Sequence, residues 1–408
     1  MNLIYNISII LLGCSMRILS LFNSKAKDWT KGRLSMFNQM PSIKQRKVIW
    51  FHCASLGEFD QALPLMKIIK SNNPHFFILV TFFSPSGMKH YRKRKHLADH
   101  VMYLALDTKS NAVKFIKHFQ PFQAFFVKYE FWSNHINEAK KNNTHIYNLC
   151  GVFRKNHRFF KWYGSFFRKS LRQFDWFFVQ NKESEKLLQS IKINNVSIYG
   201  DTRYDKVIEN KENVIIDNNL KTFCGKEKAF IIGSSWPKDE NILLDFINTL
   251  EKKVIIAPHN IGQSFIDDIT SKLTVDYVKY SEIKDQNNII KSRVLILDTI
   301  GQLSNAYHYG DIAYIGGGFS NSLHNILEPA VFGLPVIFGP KYHRFPEAKK
   351  FIKNKFGFSI RSKNELEKTF EKIETNYLSI QKKELDFIVQ NAGASLKIYN
   401  HIFSKMSY

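Results

Sequence analysis

The sequence predicts an α/β protein made of two doubly wound parallel sheets, and three observations carry that expectation. The chain has 408 residues, enough for two cores when domains cluster near about 100–200 residues. Short apolar runs of strand length alternate with amphipathic or loop segments, as in parallel sheets buried on both faces. The alternation then restarts beyond a polar stretch in mid-chain, which gives two Rossmann-like domains facing a cleft.

Residues 1–22 read as a membrane anchor segment. Residues 2–22 are apolar except for Arg17 and a few small polar residues, and Lys25, Lys27, Lys31 and Arg33 follow. A span needs about 20 apolar residues, so an interfacial helix or a short signal-anchor fits as well as a full crossing. A buried core helix is the alternative. The basic residues that follow would hold the main body on the cytoplasmic side. No basic region precedes the apolar run and no small-residue cleavage site ends it, which argues against a cleaved signal peptide.

The first domain, 23–207, carries strand-like runs at residues 48–52, 76–81, 100–104, 124–127, 146–149 and 176–180, with helical segments at 59–71, 111–119 and 182–191. The second, 208–408, repeats the pattern at 230–233, 254–257, 294–297, 312–315 and 335–338. Residues 209–220, rich in Asn, Asp and Lys, read as the linker.

Apolar residues make up 44% and charged residues 23%, which excludes a disordered or polytopic membrane chain. The 59 Lys and Arg against 35 Asp and Glu give a net charge of +24. Such a surplus calls for an anionic partner, unless a Lys-, Asn- and Ile-rich composition has simply scattered lysine over the surface. Cys14, Cys53, Cys150 and Cys224 form neither a metal-ligand spacing nor a disulfide framework.

Chemistry is expected at the carboxyl ends of the strands. After the first strand comes a glycine turn and then Glu58 in the opening turn of a helix. There a carboxylate either answers the helix dipole or, if desolvated, serves as a general base. The fourth strand ends in Lys128-Tyr129-Glu130, where Lys128 can neutralise developing negative charge. Arg203, in Gly200-Asp201-Thr202-Arg203, suits a phosphate or carboxylate. In the second half, Gly233-Ser234-Ser235-Trp236, Pro258-His259, Asp298-Thr299-Ile300-Gly301-Gln302 and Gly316-Gly317-Gly318 follow successive strands. The three glycines let the backbone approach a ligand, and the first turn of the next helix, near His324, Asn325 and Glu328, offers N–H groups to an anion. Basic clusters at 89–96 and 154–172, the latter interleaved with aromatics, suit an anionic lipid surface or single-stranded nucleic acid.

His52-Cys53-Ala54-Ser55-Leu56-Gly57-Glu58, Ser84-Pro85-Ser86-Gly87, Tyr129-Glu130-Phe131-Trp132-Ser133-Asn134, Gly200-Asp201-Thr202-Arg203-Tyr204-Asp205, Asp298-Thr299-Ile300-Gly301-Gln302-Leu303 and His324-Asn325-Ile326-Leu327-Glu328-Pro329 together resemble, in order and spacing, the 3-deoxy-D-manno-octulosonic acid (Kdo) transferases. The resemblance spans nearly the whole chain. It implies a GT-B glycosyltransferase that takes Kdo from CMP-Kdo to a lipid A precursor, lipid IVA, with inversion and release of CMP. It also implies attachment to the cytoplasmic face of the inner membrane, an anionic surface, with no cofactor, metal or nucleic acid. Glu58 matches the family's proton acceptor, and Arg203 stands where relatives often carry Lys. Pro258 and His259, then Ile300, Gly301 and Gln302, then Asn325, Ile326, Leu327 and Glu328 match the segments that hold CMP. Two departures stand out: Lys128-Tyr129-Glu130 replaces an acid-Thr-acid pattern, and His259-Asn260 replaces an Arg-His pair. Another GT-B enzyme using a UDP-sugar, or a basic nucleic-acid-binding protein, would be the rival readings.

Overall fold

The computed structural model describes residues 2–34, 36–43, 45–94, 96–283 and 286–404. Lys95 of the first basic cluster lies outside them. The first domain holds β1 (Val48–Cys53), β2 (Phe77–Phe82), β3 (His100–Tyr103), β4 (Gln123–Val127), β5 (His145–Gly151), β6 (Trp176–Val179) and β7 (Val196–Ile198). These form one sheet in the order β3-β2-β1-β4-β5-β6-β7, parallel throughout. The second domain holds β8 (Ala229–Ser235), β9 (Val254–Pro258), β10 (Tyr277–Lys279), β11 (Val294–Ile296), β12 (Gly310–Ile315), β13 (Val336–Phe338) and β14 (Gly357–Ser359). Their order is β10-β11-β9-β8-β12-β13-β14, again all parallel. Each sheet is therefore the doubly wound α/β arrangement that the alternating pattern requires.

Strand β1 shows why the pattern is continuous. All six of its residues are buried. Val48 and Trp50 enter one core layer with Leu79, Phe115 and Phe126, while Ile49, Phe51 and Cys53 enter the layer on the opposite face with Phe59, Val80 and Phe125. A strand covered by helices on both sides has no solvent face on which to place polar residues. Strands β7, β10 and β14 are absent from the sequence reading. All three are edge strands of three residues with partly exposed side chains, too short and too polar to form an apolar run.

Two expectations about the boundaries differ from the structure. Residues 209–220 are mostly helical, because helix Arg203–Glu212 runs into them and helix Asn218–Cys224 begins before they end. Asp217 starts that second helix by accepting from the N–H groups of Asn219 and Leu220. The second compact unit runs from Val207 to Gln390, and the chain from Asn391 onward belongs to the first, not to a domain ending at 408. Gly393, at φ +86°, redirects the backbone. Asp205 accepts from the N–H groups of Gly393 (2.5 Å) and Ser395 (2.7 Å), and helix Ala394–Phe403 then packs Ile398, Ile402 and Phe403 into the first domain's core.

At the N-terminus, helix Asn2–Leu19 docks on the first domain through polar contacts: Tyr5 Oη donates to Asp107 (2.5 Å) and Asn134 Nδ2 to Asn6 Oδ1 (2.8 Å). Its apolar residues Leu3, Ile4, Leu11 and Ile18 are exposed, as is Phe22 at 86%, so it is not a core helix. Among the described residues no helix is long and apolar enough to cross a membrane. Arg33, expected to be part of the basic flank, is instead held inside. It donates to the carbonyls of Trp29, Phe83 and Leu104 and lies over the rings of Trp29 (4.0 Å), Tyr103 (4.7 Å) and Phe83 (4.9 Å). Burial lowers its pKa to about 9.

Replacing Asp205 by Ala removes two charge-assisted hydrogen bonds, worth about 2 kcal/mol together once solvent competition is counted. Thermal unfolding is expected at lower temperature, with the first proteolytic cut near Gly393. An unchanged melting temperature would show that the carboxylate does not hold the returning helix.

Candidate functional site

In the first domain the expected residues gather at the carboxyl end of the sheet. Helix Leu56–Asn72 follows β1 with Glu58 in its first turn. The side chain is buried and turns back so that the Ala54 N–H donates to Oε2. Burial raises the Glu58 pKa to about 7. Lys128 and the N–H groups of Ala54 and Ser55 oppose the rise, while Glu130 adds to it. The contact that satisfies the Ala54 N–H thus also holds the carboxylate where it is desolvated.

Lys128 follows β4 in a left-handed conformation (φ +60°), unusual for a side chain with a Cβ. Its N–H donates to Leu149 O, and its carbonyl accepts from Asn148 Nδ2 (2.7 Å). Glu130 Oε2 is buried without a hydrogen-bond partner, 3.7 Å from His52 Nε2. That nitrogen already accepts from Trp132 Nε1 (3.0 Å), and Nδ1 lies 3.0 Å from Thr81 Oγ1. Burial keeps His52 neutral. Trp132 also stacks on Phe83 at 4.5 Å, which fixes its ring against His52.

Arg203 begins its helix against Asp201, donating Nε (2.9 Å) and Nη2 (2.7 Å) to Oδ2. Asp201 Oδ1 accepts from Gln61 Nε2, one helical turn beyond Glu58. Asp201 is buried, which alone would raise its pKa, yet Arg203 and these hydrogen bonds hold it below the usual range. Neither Asp201 nor Gln61 was singled out as a site residue in the sequence. The available signal was an acid two residues before the basic one.

In the second domain, β9 ends at the buried Pro258, and exposed His259 follows with its N–H on Ser235 O. Beyond β11, Ile300 is exposed and Gly301 adopts φ +115°. Thr299 Oγ1 and Gln302 Oε1 are buried without hydrogen-bond partners. Asn325 Nδ2 donates to Glu328 Oε1 (3.1 Å), and its Oδ1 accepts from the Leu327 N–H. Ile326 and Leu327 are core residues, so only their backbone is available to a ligand.

The glycine turn works differently from its expectation. A Cβ on Gly316 would stand 2.1 Å from Ser234 O, on Gly317 2.2 Å from Ser322 O, and on Gly318 2.4 Å from Gly339 N. The room is filled by the protein's own backbone and not reserved for a ligand. The following helix, Leu327–Ala330, is a single turn beyond a long loop, so it has no extended N-terminus for an anion. The loop is held instead by Asp239, which accepts from the N–H groups of Trp236 and Gly317 (both 2.9 Å) and from Tyr314 Oη (2.8 Å). Asp239 was not among the expected site residues. Its signal is an acid in the first turn after Trp236-Pro237.

A family model described as 3-deoxy-D-manno-octulosonic-acid transferase (kdotransferase) matches residues 29–206. Those residues are similar to a Kdo transferase domain. The chain is 28% identical over 349 residues to the 3-deoxy-D-manno-octulosonic acid transferase of Aquifex aeolicus, covering 82% of this chain and 88% of that protein. It is 27% identical over 366 residues to a bifunctional glycosyltransferase/methyltransferase of Fusobacterium nucleatum, covering 86% of this chain but only 56% of that relative's length. The resemblance carried by the six motifs therefore holds, and the Kdo transferase-like chain is a glycosyltransferase enzyme. Among solved structures, UDP-GlcNAc 2-epimerase of Neisseria meningitidis shares the fold, with a TM-score of 0.64 at 13% identity over 88% of this chain and all of that one. The architecture is of the GT-B type.

The raised pKa of Glu58 has a stability consequence of defined sign. The folded value, about 7, exceeds that of an unfolded Glu, so the contribution is present below the unfolded value and is lost as pH rises through the folded one. The Glu58→Gln variant should gain on the parent by about 3 kcal/mol between roughly pH 4 and pH 8. Urea unfolding at both pH values measures this, and equal differences would refute the perturbed carboxyl.

Proposed function

We propose that the chain transfers Kdo from CMP-Kdo to a sugar hydroxyl of a lipid A precursor such as lipid IVA, releasing CMP, with Glu58 as general base. The observation that carries the reading is the Glu58 carboxylate, which is buried, capped by backbone N–H and poised to gain or lose a proton near pH 7. A base with that pKa is half-ionised under ordinary conditions and still strong enough to take the hydroxyl proton. The acceptor oxygen attacks the anomeric carbon from one face. The bond to the donor phosphate breaks on the other with its electron pair, giving inversion and CMP.

Other residues have supporting roles in this reading. Lys128 keeps Glu58 from rising further and balances negative charge as the hydroxyl ionises. Glu130, with Oε2 unengaged in hydrogen bonding, accepts from a second acceptor hydroxyl. Arg203 contributes a cation fixed in direction by Asp201. The donor is held in the second domain by Pro258 and His259, by Ile300, Gly301 and Gln302, and by Asn325, Ile326, Leu327 and Glu328. The unpartnered oxygens of Thr299 and Gln302 suit hydrogen bonds to a nucleotide. No metal or cofactor enters this scheme.

We also propose that the enzyme works at the cytoplasmic face of the inner membrane. The exposed apolar residues of helix Asn2–Leu19 and Trp162, 91% exposed within the 154–172 basic cluster, would lie in the interface and the cations against lipid phosphates.

Glu58→Gln is expected to lower turnover roughly 10²–10⁴-fold while leaving CMP protection against thermal unfolding intact. In the parent, kcat/KM should climb with pH through about 7. Near-normal turnover of the variant removes Glu58 from the mechanism, and protection by UDP but not CMP removes the donor assignment. Deleting residues 2–22 should weaken sedimentation with anionic vesicles; undiminished sedimentation would refute the interfacial role.

A further inference from the structure

Trp236, His259 and His324 come from three different turns, after β8, β9 and β12, and their rings meet at the centre of the second sheet's carboxyl edge. Trp236 Nε1 donates to His324 Nε2 at 3.2 Å. An indole nitrogen can only donate, so Nε2 of His324 is the acceptor and the imidazole proton sits on Nδ1. His259 covers the pair, stacked on Trp236 at 4.2 Å and 15° and lying 4.7 Å from His324. Burial, then the neighbouring His259, pushes the His324 pKa down to about 4, so the ring is neutral at physiological pH. Among the described residues, the bond from Trp236 is the one hydrogen bond given to this ring.

The parts that hold the pair are themselves fixed. The Trp236 N–H and the Gly317 N–H share Asp239 Oδ2, and the His324 N–H returns to Gly316 O. Both ends of the Trp236–His324 bond therefore hang from one network, and His324 immediately precedes Asn325.

We propose that Trp236 is a positioning residue: by occupying Nε2 of His324 it keeps the ring proton on Nδ1, as a neutral hydrogen-bond donor for an anionic group of the nucleotide donor. This deepens the donor assignment above and rests on it. A neutral donor has a chemical advantage over a cation here. It can bind a phosphate oxygen of the sugar nucleotide without adding a full charge that would retain the more highly charged CMP product. It also supplies a donor next to the turn where His259-Asn260 stands in place of an Arg-His pair.

The test uses the full chain labelled with ¹⁵N-histidine. In the parent, His324 is expected as the Nδ1–H tautomer. In Trp236→Phe, which keeps a ring for His259 to stack on but has no N–H, it is expected to shift largely to Nε2–H. CMP affinity should fall roughly tenfold, equivalent to about 1.4 kcal/mol, in both Trp236→Phe and His324→Ala, and the double variant should bind no more weakly than either single one. An Nε2–H tautomer in the parent, an unchanged tautomer in Trp236→Phe, or additive losses in the double variant would overturn the proposal. If the parent fails to bind CMP at all, the donor assignment falls, while the tautomer measurement still decides whether Trp236 sets the proton on His324.

Discussion

The strand ends of both domains depend on carboxylates turned inward onto backbone N–H groups. Parallel strands feeding helices leave such groups unpaired at the turns, and burying them without acceptors is costly. Glu58 takes the Ala54 N–H, Asp107 those of Asn134 and His135, Asp201 that of Arg203, and Asp239 those of Trp236 and Gly317. Each carboxylate pins the turn that carries candidate chemistry. These acids differ in what else surrounds them. Asp201 has a guanidinium fork that stabilises its charge, whereas Glu58 is buried with Lys128 opposed by Glu130, and its pKa moves the other way.

Much of this was legible in the sequence because parallel strands with both faces covered must be apolar throughout. β1, β4 and β8 could hardly read as anything else. Glu58 was legible because its place after a strand and a glycine turn is a matter of local order. Three of the four edges were not legible, since β7, β10 and β14 have three residues each, draw their stability from one neighbour and keep partly exposed side chains. The function of Gly316 to Gly318 was also hidden. Their absent side chains are explained by Ser234, Ser322 and Gly339, of which the last two are reached only through folded loops. Arg33 read as one more surface cation, because two of its three aromatic neighbours, Phe83 and Tyr103, come from distant parts of the chain.

Two tryptophan–histidine bonds recur at comparable places. Trp132 donates to His52 in the first domain and Trp236 to His324 in the second. In both, burial holds the imidazole neutral, so the indole dictates which ring nitrogen keeps its proton. His52 then turns to Thr81 within the core, whereas the second ring nitrogen of His324 has no hydrogen-bond partner among the described residues. One chemical device thus serves rigidity in one domain and is available for recognition in the other.

The return of the chain at Gly393 has a consequence for how the molecule is made. The second domain is one uninterrupted stretch, while the core of the first lacks Ile398, Ile402 and Phe403 until the last helix arrives. During synthesis the later domain can therefore finish first, although the earlier one leaves the ribosome ahead of it. Until then helix Leu56–Asn72, which carries Glu58 at its opposite end, has an uncovered flank near Asn73 and Phe76, where Tyr399 and Phe403 will pack.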